Sequence, residues 1–416
     1  MTTGKKTGIG TVVLWLLALF GLGLIVWRFA AGLGAVTNLS DGYPWGLWIG
    51  IDILAGIALA AGGFVLAGVV HLFGGKKYHA LTRPAILTAF FGYLLFIFGL
   101  FFDLGRPWNL YQAIFHWNHL SPMFEVAWCV MLYTTVLLLE FLPPVFEKFR
   151  WNALHKLWHA LVPFFIIAIL TLFTFAMTDS MIWTIVIFVV LLLWEIFMRL
   201  GAMPRDKQMP ILLIMAGIMF STMHQSSLGS LFLLAPGKLS VLWFTPILPI
   251  LFFLSAVMVA PAMIVVESMH IAKADGHDNH FNLLSSFTRG LPWLLIIYLV
   301  VKLVDLGVRG AFGEAFAFDG VSISWLLEII IGLLLPIIIL LGKGAREKPG
   351  TLLFASWLVV IGLIWNRVNV SMVGMKVEGW ETYIPAWPEL FITIGVFSMG
   401  ILALRYAGKY FPIHEH

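Results

Sequence analysis

The chain has 416 residues, of which 61% are hydrophobic, 15% aromatic and 11% charged, with a formal net charge of +4 and a mean hydropathy of +0.98. Soluble domains carry about 25% charged residues, so this composition excludes a water-soluble fold, and its high hydropathy excludes disorder. There is no basic run suited to nucleic acid, and the single cysteine, Cys129, excludes an intrachain disulfide, a cysteine-ligated cluster and a covalently attached haem.

A bilayer core of about 30 Å takes roughly 20 apolar residues per helix, and that window predicts about 12 spans. The first covers 11–33; its apolar run is too long for a signal-peptide core, so it reads as a retained helix. The second, 46–73, opens with Asp41-Gly42-Tyr43-Pro44-Trp45-Gly46-Leu47-Trp48-Ile49 and carries Asp52 one to two turns inside. The third, 84–103, closes on Asp103-Leu104-Gly105-Arg106-Pro107-Trp108. The fourth, 122–142, begins around Glu125-Val126-Ala127-Trp128-Cys129 and holds Glu140 near its other end. Only Met177-Thr178-Asp179-Ser180 separates the fifth, 157–178, from the sixth, 181–200. The seventh, 210–235, contains His224-Gln225-Ser226-Ser227-Leu228-Gly229-Ser230.

The remaining spans cover 244–272, 290–312, 322–342, 351–373 and 388–408. Glu267 and His270 lie near the inner end of the eighth, and Glu328 lies in the tenth. In the ninth, Lys302, Asp305 and Arg309 share one helical face by their i, i+3, i+7 spacing. Alternate segments hold 18 of the 25 lysines and arginines and the opposite side six, with Lys302 mid-span. Positive charge stays inside, so both termini are expected in the cytoplasm and the chain in the bacterial cytoplasmic membrane. The longest polar loop, 273–289, is too short for a soluble domain.

An ionisable group inside a span costs about 2.5–3.5 kcal/mol on insertion scales, so position carries information. Asp52, Asp103 and Glu125 fall in the outer half and His224 deeper. Histidine, with an ordinary pKa of about 6.5, can exchange protons near neutrality, and a carboxylate can orient or recharge it. The inner half holds Glu140, Glu267 and His270, a set suited to proton uptake or to simple snorkelling. Trp45, Trp48 and Trp108 fit an interfacial aromatic belt as well as a ring pocket. A b-type haem needs two facing histidines at matched depth; His224 has no such mate, leaving only a His71–His270 pair open. No spacing of ligands suggests a metal.

Taken in order, the Asp-Gly-Tyr-Pro-Trp, Asp-Leu-Gly-Arg-Pro, Glu125 and His-Gln-Ser-Ser-Leu-Gly strings resemble those of the NrfD/polysulfide-reductase-type integral membrane subunits. The likeness is to the larger branch, found in hydrogenase-2, Qrc-type menaquinone reductase and alternative complex III assemblies. It implies an all-α polytopic membrane protein built of two four-helix bundles plus flanking helices. About 45 extra residues near 163–209 look like an inserted helical pair. The expected organisation is a flanking helix and loop (1–45), a first bundle with the quinone site (46–235), a second bundle (236–373) and a C-terminal flanking helix and tail (374–416).

The resemblance further implies a subunit without haem or iron–sulfur cluster, passing electrons between a partner iron–sulfur subunit and a quinone, menaquinone favoured, near the outer side. His224, Asp52 and Glu125 would then be catalytic. Asp103, Arg106, Gln225, Ser226, Ser227, Trp45 and Trp48 would bind the quinone. Glu140, Glu267, His270, Lys302, Asp305, Arg309 and Glu328 would form the proton pathway. Further partners would be a hydrogenase, a multihaem cytochrome c or a molybdopterin-type subunit, docking on 103–121 and 373–388. A proton-coupled secondary transporter is the competing class, but no inverted pair of Gly/Pro-broken helices supports it.

Overall fold

A computed structural model of the protein describes residues 8–201, 211–234, 236–275, 280–342, 344–376 and 383–411. Among them, twelve helices are long and apolar enough to cross a membrane, and no β-strand occurs. They are α1 (Ile9–Ala31), α2 (Trp48–His71), α3 (Lys76–Asp103), α4 (Pro122–Phe149), α5 (Asn152–Thr178) and α6 (Met181–Arg199). After these come α7 (Ile211–Leu231), α8 (Leu248–Ala274), α9 (Phe281–Val308), α10 (Gly320–Leu341), α11 (Pro349–Val373) and α12 (Trp387–Tyr410). Residues 8 and 411 lie on one face, termed lower, where Arg405 donates to Thr11 at 2.6 Å; α2 starts on the opposite, upper face.

Helices α2, α3, α4 and α7 pack around one another, as do α8, α9, α10 and α11. The two groups join where α8 lies on α7 and α2, and α11 lies on the start of α2. Helices α1 and α12 run side by side, with α12 against α3. Their crossing is tight because both sides are glycine: a Cβ added to Gly395 would come within 2.7 Å of Gly21 Cα. Helix α5 rests on α4 and α7, while α6 packs on α5 and buries only Glu195. That carboxylate is held by Arg199 one turn on, at 2.6 Å.

Three local features depart from regular helix. Trp48–Ala55, the start of α2, is π-helical, a form found mostly as single turns at functional sites. Helix α4 continues to Phe149 through Pro143 and Pro144, seven residues beyond the expected end. The prolines take the amide partners from the carbonyls of Leu139 and Glu140, a loss tolerated where polar groups or a cavity stand nearby. Helix α9 likewise begins early, through a short helix Phe281–Phe287 and a 3-10 turn Thr288–Gly290. Ends are capped in the usual way at Asp319, whose carboxylate accepts from Ser322 N at 2.7 Å and is thereby held below its ordinary range.

Candidate functional site

The polar residues of the first bundle meet on the buried faces of α2, α3, α4 and α7. Gln225 donates to the Ile57 carbonyl of α2 at 3.1 Å, crossing the bundle. Ser227 donates to Glu125 of α4 at 2.6 Å, so α7 and α4 are joined at the upper end. Ser226 instead bonds back to the Thr222 carbonyl of its own helix. His224 is fully enclosed between the rings of Phe96 and Tyr133, with centroids 5.8 and 5.2 Å away. It faces the Val126 backbone, yet neither ring nitrogen makes a hydrogen bond of good geometry among the described residues.

Asp52 sits in the π-helical turn, buried, and its Oδ2 accepts from Thr393 of α12 at 2.9 Å. Its Oδ1 has no partner. That oxygen belongs to a residue lining an apolar cavity of about 150 Å³ between α2, α3, α8 and α12. Phe96 lines the same cavity, so its ring stands between Asp52's chamber and His224. The two expected catalytic groups therefore share a neighbourhood but are separated by one aromatic ring.

At the upper face, Asp103 lies beside Arg28 of α1, which donates to the carbonyls of Phe102 and Leu104 at 2.7 and 2.6 Å. Arg106 is exposed; Arg28, rather than Arg106, is the cation near Asp103. Trp48 is buried against Phe102 and donates to the Glu389 carbonyl at 3.2 Å. Trp45 packs edge-on against Phe232. Glu389, at the start of α12, accepts from Asn38 N and Ala386 N, and from the Tyr383 hydroxyl. Burial and the hydrogen bond to Glu389 raise the Tyr383 hydroxyl above its ordinary range.

The expected proton-pathway residues fall in three places. Glu140 is buried, both carboxylate oxygens lack partners, and it lines a lower-face cavity of about 170 Å³ with His71, His79, His155 and the Arg83–Glu147 pair. Glu267 accepts from Thr88, while His270 is exposed against Trp357. In the second bundle, Lys302 pairs with Glu328, and Asp305 with Arg309 at 2.7 Å. Glu328 also accepts from Trp243, Asn366 and Asn369 at 3.0, 2.9 and 2.8 Å. The fully buried Arg367 adjoins this cluster through Asn366, at 2.7 Å.

Several residues join these sites unannounced by the sequence. Tyr133, beside His224, packs at a tilt on Tyr93 with ring centroids 4.2 Å apart, and Tyr93 meets Ser221 at 3.1 Å. Thr393 and Glu389 come from α12, more than 330 residues after Asp52 and Trp48. Tyrosines and serines in apolar spans look like ordinary packing, so nothing in the linear pattern marks them. Of the docking aromatics, Trp387 is exposed and Trp380 lies outside the described residues. His71 and His270, the pair left open for a haem, have different neighbours, His79 and Trp357.

A family model described as polysulphide reductase, NrfD, matches residues 35–377. A protein of Nitratidesulfovibrio vulgaris is 33% identical, covering 98% of this chain and 95% of its own length. The probable Ni/Fe-hydrogenase 2 b-type cytochrome subunit of Escherichia coli is 31% identical, covering 94% and 88% respectively. The integral membrane subunit of a menaquinone reductase from Nitratidesulfovibrio vulgaris is 25% identical, covering 98% and 93%.

Proposed function

The chain belongs to the NrfD polysulphide reductase family of membrane proteins, and from that premise we propose that it is the quinone-binding subunit of a respiratory oxidoreductase complex. Electrons pass between a partner's iron–sulfur cluster and menaquinone near the upper face, which faces away from the cytoplasm. The observation that carries this reading is the convergence of buried Asp52, His224 and the Ser227–Glu125 pair in one bundle. Asp52 and His224 keep polar atoms unsatisfied there, and buried groups left so usually have a ligand or a proton to handle. One relative is named as a menaquinone reductase subunit, which favours reduction over quinol oxidation.

Reduction takes two electrons from the partner and two protons from the protein, giving the quinol. Each carbonyl oxygen gains one proton, so the ring needs donors that can be recharged. Asp52 and His224 serve as those donors, and Glu125 with Ser227 positions the seventh helix beside them. Recharging runs from the cytoplasmic side. On α4, Glu125, Tyr133 and Glu140 recur at intervals of about two turns on the buried face. Glu140 opens on the lower cavity, and Tyr133, Tyr93 and Ser221 stand between it and His224. Uptake from that side makes reduction electrogenic. The partner cluster docks over 103–121 and 373–388, and in the first of these Trp108, Phe115 and Leu120 are 61%, 73% and 82% exposed.

The test is a pair of substitutions in the assembled complex. His224→Ala and Asp52→Asn are each expected to lower quinone-dependent turnover by about 10²- to 10⁴-fold, the usual worth of a positioned proton donor. Partner subunits should still co-purify. Normal turnover in both variants would remove this bundle from consideration.

A further inference from the structure

The chamber beside Asp52 has a wall that the family model does not cover. Its sides are α2, α3 and α8, and the fourth is α12, which begins at Trp387, beyond the matched residues 35–377. Helix α8 packs on α2, and α12 on α3 and the start of α2, while α8 and α12 have little packing on each other, which leaves a seam. Along that seam α12 presents Phe397 and Ile401, 39% and 50% exposed on the apolar outer surface, and both also line the chamber. The interior surface is set by Leu59, Leu95, Phe96 and Met263, and Gly92 and Gly400 also line it, letting Ala60 and Leu95 approach closely. Two polar side chains reach it. Asp52 stands at the upper end with Oδ1 unpartnered, and Thr88 at the lower end is already bonded to Glu267.

From this arrangement we infer that the chamber is the entry site for the quinone, reached sideways from the bilayer through the α8–α12 seam. This inference rests on the quinone reading above and adds the route and the residues that form it. A cavity of about 150 Å³ can take a benzene-sized ring, and this chamber has that volume and opens on the seam, so one ring of a naphthoquinone head group seats in it with the other toward the opening. A ring placed there stacks on Phe96 and meets Asp52 at its upper edge. A prenyl tail leaves past Phe397 and Ile401 into the hydrocarbon phase, where it costs nothing to hold. Asp52 Oδ1, when it carries the proton, then donates to the quinone carbonyl and gains the partner it lacks. Phe96 is the partition the ring must turn aside to come within reach of His224, so the seam and Phe96 act in series.

The experiment labels the intact, partner-bound complex in liposomes with a photoreactive azido-naphthoquinone bearing a prenyl tail, then maps the adduct by mass spectrometry. The expected adduct lies on residues 396–404 of α12. An adduct confined to α4 and α7, in a complex that turns over, overturns the portal while leaving the quinone reading standing. No adduct on this chain together with no quinone turnover overturns both. A second measurement uses Ile401→Trp, which narrows the seam at a half-exposed position, in a variant first shown to assemble with its partners. It should raise KM for long-tailed menaquinone at least tenfold and leave kcat within twofold. Unchanged KM in that variant also overturns the portal.

Discussion

Glu328 and Asp52 are both buried carboxylates, and their surroundings assign them opposite roles. Glu328 accepts from Lys302, Trp243, Asn366 and Asn369, so neither oxygen is free, whereas Asp52 keeps one oxygen open to a cavity. A closed network of this kind holds α9, α10 and α11 together, and any proton route through it requires those donors to move. Removing one partner of such a buried pair costs about 3–5 kcal/mol, while replacing both by apolar residues of similar size is often neutral. Glu328→Ala is therefore expected to lower the thermal midpoint of the detergent-solubilised chain sharply, measured by fluorescence-detected size exclusion. The double change Glu328→Leu with Lys302→Met should recover much of the loss. Sequence reading found every one of these ionisable residues, because charge inside an apolar span is conspicuous. It could not sort them, since what separates scaffold from site is the count of hydrogen-bond partners.

At the scale of helices, span length and apolar run were enough to place all twelve, because a bilayer imposes one length on every crossing. The π-helical start of α2 and the passage of α4 through two prolines were not legible, as both depend on neighbours that satisfy displaced backbone groups. Nor was the part played by α12. Read alone it is a flanking helix, yet Thr393 bonds Asp52 across 341 residues of sequence. What fixes α12 is its glycine crossing with α1. Gly395→Leu places a side chain where Gly21 Cα approaches within 2.7 Å of the added Cβ, and overpacking of this kind costs about 1–3 kcal/mol. The expected result is a complex that still assembles but binds long-tailed quinone weakly. Titration of KM against tail length checks it, and a tight-binding variant would show that α12 is held by other contacts.

For the molecule as a whole, residues 8 and 411 lie on one face of twelve helices long enough to cross a membrane, and 18 of 25 basic residues are expected on that side by the linear count. A green fluorescent protein fused to either end should therefore fluoresce, and alkaline phosphatase fused to either end should be inactive; an active phosphatase at one end only would mean an odd number of crossings. Nearness of the ends also sets a timetable. Asp52 is made 341 residues before Thr393, and at the usual 5–20 residues per second that interval is roughly 20–70 s of synthesis. Once α7 is complete at Leu231, the first bundle waits through the remainder of it with its carboxylate facing an unfinished wall. The chamber closes only when α12 is made and packs against α1 and α3, so a chain stopped before α12 would lack the chamber's fourth wall.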